Sequence, residues 1–148
     1  MANRQVVERY TAAIADDDFD GQTALVHNDY VLEFPQSGER FVGLEARRAV
    51  FERYPGREGS GNRPAISSIS GTDDQFVTRP SWPAFSIVHL SGSGDEFTVT
   101  GTVRYPNDEL WHFVSLITTL EGAIWRETVY WGQPFDPPEW RRGLGDGS

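Results

Sequence analysis

Between residues 65 and 131 the hydrophobic period of this chain is two, whereas before residue 55 it is near 3.6. No other feature limits its fold as strongly. Six alternating segments, 65–70, 75–78, 85–91, 97–105, 110–120 and 123–131, are separated by turn-forming residues at 71–74, 92–95, 106–108 and 121–122. Short turns join neighbours in sequence, so the pattern predicts an antiparallel meander. Upstream, Val6, Tyr10, Ala13 and Ile14 share one helical stripe and predict a helix over 6–15. Asp18 is placed to cap a second helix over 19–26, because its carboxylate can accept from the unpaired N–H groups of the first turn. Residues 30–34 read as a short strand and 35–38 as a turn, while Leu44, Arg47, Arg48 and Phe51 predict a third helix ending before Pro55. Three helices ahead of a long curved sheet imply an α+β fold with the helices on one face of the sheet.

A length of 148 residues fits one domain, 1–148, with no internal repeat. The loop 55–64 holds Gly56, Gly59 and Gly61 among alternating charges and is expected to be a mobile surface loop able to serve as a lid. In the tail, 132–148, Pro134, Pro137 and Pro138 exclude regular structure, yet Phe135 and Trp140 are costly to leave in water. The tail is therefore expected to pack across the domain or against a dimer partner.

Composition removes several function classes. A formal charge of -9 opposes approach to phosphate backbones or anionic lipid, so neither nucleic acid nor membrane is expected as a partner. No run approaches the roughly 18 apolar residues of a membrane span, and no secretory signal is visible, which points to a cytoplasmic protein. Without cysteine there is no disulfide, thiolate nucleophile or thiolate-bound zinc. Asp16, Asp18, Asp20 and Gly21 mimic half of a calcium loop, but His27 stands where its bidentate Glu is required. His27, His89 and His112 lack metal-ligand spacing, so no metal is expected. No Gly-rich phosphate loop follows a strand.

Arg9 and Tyr10 before an acidic break, Asn28-Asp29 ahead of the strand ending at Phe34-Pro35, Gly43 opening a helix to Phe51, and the segment from Gly122 to Trp131 resemble the NTF2-like superfamily. The stretch from Phe34 to Arg40 and the pairing of Tyr130-Trp131 with Pro138-Glu139-Trp140-Arg141 are similar to its SnoaL-like branch. This resemblance implies a cystatin-like cone of three N-terminal helices on a curved antiparallel sheet. It further implies a pocket for a small apolar ligand, a homodimer, and isomerase, cyclase or hydrolase chemistry without a cofactor. Against the ketosteroid isomerases, Tyr10 falls at the oxyanion-hole tyrosine and Trp131 at a pocket aromatic. Phe34, however, replaces the catalytic aspartate, and Ser115 or Val114 replaces the second oxyanion donor, so isomerisation by that aspartate mechanism is not supported.

The Glu121-Gly122 turn allows a two-residue hairpin pairing Leu120 with Ala123, which would set Leu116 opposite Glu127, Val114 opposite Val129 and His112 opposite Trp131. If those six face the cavity, Glu127 is a desolvated carboxylate suited to acid–base work, with His112 nearby and Tyr10 as enolate donor. A slip of one residue would instead present Arg126 and Trp111. On that register Glu127 is solvated or paired with an arginine such as Arg104; apart from the register, His112 also reads as a satisfied strand residue and Tyr10 as a core tyrosine whose hydroxyl reaches a partner. Gln36, Ser37, Glu39 and Arg40 form a polar mouth that also reads as a turn with a salt bridge.

Two functions from different classes follow. One is a cofactor-free isomerase or cyclase moving a proton on an apolar carbonyl compound, with Tyr10 as donor and Glu127 or His112 as base. The other is a non-catalytic carrier or sensor whose cavity is lined by Phe34, Phe51, Trp125 and Trp131, alongside Leu116, Val114 and Val129. A filled dimerisation domain is a third possibility. An epoxide-hydrolase-like enzyme is a fourth, although two aspartates bracketing an arginine are not visible on the strands.

Overall fold

The computed structural model describes residues 1–16, 18–53, 65–69, 75–79, 87–104 and 110–146. Helix α1 is Asn3–Ala15, α2 is Phe19–Thr23 and α3 is Leu44–Glu52; strands are β1 (Val26–Phe34), β2 (Glu39–Val42), β3 (Ala65–Ile69), β4 (Gln75–Arg79), β5 (Ile87–Ser93), β6 (Glu96–Arg104), β7 (Leu110–Leu120) and β8 (Ala123–Gly132). They form one eight-stranded sheet in the order β2-β1-β8-β7-β6-β5-β4-β3. The loop 55–64 expected to act as a lid, and Phe85, lie outside the described residues.

Each expected helix is present, and the reasons are local. Asp18 caps α2 by accepting from the Gly21 N–H at 2.9 Å. The helix is shorter than expected, because Val26 already pairs with Ile124 and the Ile124 N–H donates to the Leu25 carbonyl at 2.8 Å. That contact opens the one parallel ladder among the described strands, β1 against β8, where the sequence had suggested an antiparallel sheet throughout. Strand β2 was not anticipated. It is a four-residue edge strand carrying Glu39 and Arg40, and short charged edges resist pairing with other chains.

Alternation along the sheet divides it into two faces. On the inner face Tyr30, Leu32, Val88, Leu90, Phe97, Val99, Ile117, Ile124 and Val129 join Val6, Val7 and Tyr10 of α1 in one buried core. Fully burying each such aliphatic side chain contributes roughly 1.5–3 kcal/mol. Asn3 fastens α1 to the β5–β6 turn, donating to the Gly94 carbonyl at 2.8 Å and to Asp95 at 3.0 Å. Only glycine fits at position 92 near the β5–β6 turn, where φ is +124° and a Cβ would lie 2.3 Å from the Glu96 carbonyl oxygen. The tail does not pack across the domain: Phe135, Trp140 and Leu144 are 80, 77 and 80 % exposed.

Candidate functional site

Strands β7 and β8 join through Glu121 and Gly122, both at positive φ, and Leu120 does pair with Ala123. Thr119 next pairs with Ile124, but Thr118 pairs with Arg126. Trp125 is thus an extra residue in β8, a β-bulge, and it shifts every later pair by one. Glu127 stands opposite Ile117, Val129 opposite Ser115 and Trp131 opposite Phe113. His112, Val114 and Leu116 therefore do not join Glu127. His112 pairs with Gly132 and is exposed, and Val114 and Leu116 are 37 and 43 % exposed on the outer face. Trp125, the bulged residue, is partly buried, with the Arg126 guanidinium 4.3 Å from its ring.

The same bulge brings Glu127 to the inner side, 6 % exposed, while Arg126 is exposed. One oxygen of its carboxylate accepts from Tyr10 of α1 at 2.5 Å and from Tyr30 of β1 at 2.7 Å, and the other accepts from Ser115 of β7 at 2.9 Å. Arg47 of α3 closes the cluster from behind, donating to the Tyr10 hydroxyl at 2.9 Å and to Gln22 Oε1 at 2.7 Å. Gln22 in turn donates to the Ala13 carbonyl at 3.1 Å. Since Arg offers only donors, the Tyr10 oxygen must accept from it and direct its single proton to Glu127.

Arg47 is 3 % exposed and sits among aromatic faces, 4.3 Å from the Phe51 ring centre, 5.2 Å from Tyr10 and 5.5 Å from Tyr30. Its Nε has no hydrogen-bond partner among the described residues. The Tyr10 and Tyr30 hydroxyls are held well above the usual tyrosine range, by burial first and then by the negative charge of Glu127. Both stay protonated donors at ordinary pH. Burial alone would lower the Arg47 pKa, but attraction to Tyr10, Tyr30 and Glu127 outweighs it and holds the guanidinium above its usual value.

Beyond Glu127 on the inner face come Val129, which is buried, then Trp131 and Phe34, which are partly buried. Trp131 packs on Phe113 with ring centres 5.7 Å apart, and Phe34 meets Phe41 edge-on at 5.4 Å. Gln36 anchors the end of β8 by exchanging two 2.6 Å hydrogen bonds with the Trp131 backbone. Of the residues singled out from sequence, Tyr10, Glu127 and Phe51 meet in the Arg47 cluster, and Val129, Trp131 and Phe34 occupy the same face.

Tyr30, Arg47, Ser115 and Gln22 were not assigned to the cluster from sequence. For Arg47 a signal was present: Leu44, Arg47 and Phe51 share one helical face, so a charge stood in an apolar stripe. Among the described residues no group of three or more His, Cys, Asp or Glu is placed to hold a metal ion. None of their helices is long and apolar enough to cross a membrane.

The profile of the SnoaL-like domain matches residues 7–128. This chain belongs to the SnoaL-like family. No curated protein matches the sequence. Among solved structures, this SnoaL-like chain is similar to a candidate ketosteroid isomerase from Kribbella flavida DSM 17836, with a TM-score of 0.72, 19% identity, and 97% of this chain and 87% of that one covered. It is also similar to an NTF-2 like protein of unknown function from Burkholderia xenovorans LB400, with a TM-score of 0.63, 24% identity, and 94% and 89% covered. TerC, co-crystallised with polyporic acid, gives a TM-score of 0.56 at 16% identity over 90% and 91% of the two chains. Identities this low establish the NTF2-like fold, and function is argued from the site itself.

Proposed function

We propose that this SnoaL-like protein binds a small, mostly apolar carbonyl compound at the inner face and moves a proton on it without a cofactor, as an isomerase or cyclase. The observation that carries the reading is the buried Glu127 carboxylate under three hydroxyl donors from three different elements. In the proposed step Glu127 takes a proton from the carbon next to the carbonyl: that C–H bond breaks, an O–H bond forms on Glu127, and an enolate is left. Neutralised, Glu127 accepts less strongly, so the Tyr10 and Tyr30 hydroxyls can turn to the enolate oxygen. Their raised pKa values favour donation without proton loss. Where the enolate is conjugated with a C=C bond, return of the proton from Glu127 to the far carbon of the dienolate completes an isomerisation; attack of the enolate carbon on a second carbonyl forms a C–C bond and an alkoxide, which takes the proton back from Glu127 and completes a cyclisation. Val129, Trp131, Phe34 and Phe51 would supply the apolar walls.

A carrier or sensor is the second reading. It is favoured by a specific fact: all three donors on Glu127 are already satisfied within the chain. One experiment separates the two. The protein is screened by thermal shift against polycyclic ketones, lactones and terpenoid epoxides, and each stabilising compound is then followed by NMR in deuterated water. Protein-dependent exchange of the α-protons, lost in Glu127→Gln while the thermal shift persists, is the expected result. Stabilisation without exchange would overturn the enzyme reading in favour of the carrier, and stabilisation by no compound in the panel would overturn both.

A further inference from the structure

The Glu127 cluster is shut. Glu127 is 6 % exposed and the Tyr10 and Tyr30 side chains are fully buried, so a ligand can meet the carboxylate only if a neighbouring element moves. Helix α3 is the element built to do so. Of its nine residues only Arg47 is buried, while Leu44, Val50 and Phe51 are half-buried. A helix is ordinarily seated by an apolar stripe, but the deepest group of this one is a charge. Helix α1, by contrast, carries Val6, Val7, Tyr10, Ala13 and Ala15 into the interior and is fastened by Asn3. Local opening is drawn from elements with few buried apolar groups, which describes α3 and not α1.

Helix α3 also has a pivot. It starts from Gly43, at φ +90° and ψ 170°, a conformation open essentially to glycine alone, and no side chain caps its first turn. The Gly43 N–H donates to the Tyr30 carbonyl at 2.8 Å, which pins the pivot to β1. Arg47, one turn further on, is the latch. Its Nη2 donates to the Tyr10 hydroxyl of α1 and to Gln22 of α2, elements that would stay behind when α3 moves. Its charge is balanced at one remove, since Tyr10 accepts from Arg47 and donates to Glu127. A buried cation held in this way is nearly balanced between two states: attraction to the carboxylate keeps it in, and hydration draws it out.

We propose that α3 is a lid over the Glu127 cluster, hinged at Gly43 and latched by Arg47, and that the negative charge of Glu127 sets the strength of the latch. Swinging out on Gly43, α3 withdraws the Arg47 guanidinium, with the Phe51 ring 4.3 Å from it, from the two tyrosine rings and opens a way to their hydroxyls. With Glu127 ionised the latch closes. With that charge removed Arg47 becomes an uncompensated buried cation, and lifting α3 is the least costly way to return it to water. The lid rests on the proposed function only for what passes beneath it. It is tested on the ligand-free chain, so its failure leaves the Glu127 chemistry standing, and failure of that chemistry leaves the lid.

Amide hydrogen exchange of the full chain, read by NMR, compares residues 48–52 of α3 with residues 6–15 of α1 in the same molecule and so separates opening of the lid from global unfolding. In the wild type α3 should exchange at least roughly tenfold faster than α1. Glu127→Gln keeps the shape of the side chain and an acceptor for Tyr10 but removes the charge, and α3 exchange should rise by a further factor of about ten or more. In Arg47→Met/Glu127→Gln no charge is left to expel, and α3 exchange should fall back to within about threefold of the wild type. An α3 that exchanges no faster than α1 overturns the lid. Unchanged α3 exchange in Glu127→Gln overturns the latch, and so does an acceleration that persists in the double variant. If Glu127→Gln alone does not fold, urea unfolding decides in its place: the double variant should be more stable than Arg47→Met, and one that is no more stable overturns the latch.

Discussion

The two faces of the β7–β8 hairpin each depart in part from the usual pattern of a half-buried sheet: the inner one sets polar residues among buried Ile117, Ile124 and Val129, and the outer one sets apolar residues beside exposed His112 and Arg126. Inward lie a carboxylate, a serine and a threonine, Glu127, Ser115 and Thr119, each at most 6 % exposed, while outward lie Val114, Leu116 and Tyr130 at 37–43 %. Polar groups inside are tolerable only where each finds a partner, and those of Glu127 and Ser115 are supplied from α1, β1 and each other. The apolar groups outside have no such account within one chain. The comparison teaches that the two faces of one hairpin differ in kind: polar groups held by partners from other elements on one side, and partly exposed apolar side chains on the other.

The largest effect that would test this contrast is loss of Arg47. Arg47→Met strips a buried charge from its partners and is expected to destabilise by about 3–5 kcal/mol in urea unfolding, whereas Arg126→Met, exposed on the outer face, should change stability by less than about 0.5 kcal/mol. Equal effects would break the contrast between the faces. Next in size is the response to alkali. The folded pKa values of Tyr10 and Tyr30 lie above the unfolded value of 10.0, so the folded state holds protons that the unfolded chain releases. Their contribution is fully present below pH 10 and is lost as pH rises above it, at up to about 2.7 kcal/mol per pH unit for two protons. Melting between pH 8 and 11.5 should fall steeply in the wild type and less steeply in Tyr10→Phe/Tyr30→Phe.

A smaller effect is expected at Ser115, whose hydrogen bond to the Glu127 carboxylate is worth about 1.5–3 kcal/mol, so Ser115→Ala should lower the urea midpoint without changing the slope of the transition. Smallest of all, Leu116→Ser on the outer face should alter stability by about 0.5 kcal/mol or less in urea unfolding. A loss as large as that of Ser115→Ala would mean that the outer face is not the open one.

Much of the architecture was legible because it is written in local patterns. The period change after the third helix, the Asp18 cap and the Glu121-Gly122 turn each depend on a few neighbouring residues, and each appears in the structure. Tyr10 and Glu127 were legible as candidates because few residues in an apolar context can carry proton chemistry. Edge strand β2 was not visible, since its two charged residues look like turn residues until β1 pairs with them. His112, Val114 and Leu116 were set beside Glu127 on the assumption of an unbroken ladder.

By itself, then, the sequence determined the order and kind of most elements and a short list of groups able to do chemistry. Those follow from spacing and side-chain type within a window of a few residues. Only the tertiary structure decided that Trp125 bulges, because a bulge is a matter of which residue faces which across two strands and leaves the alternation within each strand almost unchanged. That one residue placed Glu127 opposite Ile117 rather than Leu116 and put Ser115 rather than Val114 on its side of the sheet. It also gathered Tyr30 and Arg47, from elements far apart in the chain, around a carboxylate whose surroundings no local pattern could reveal.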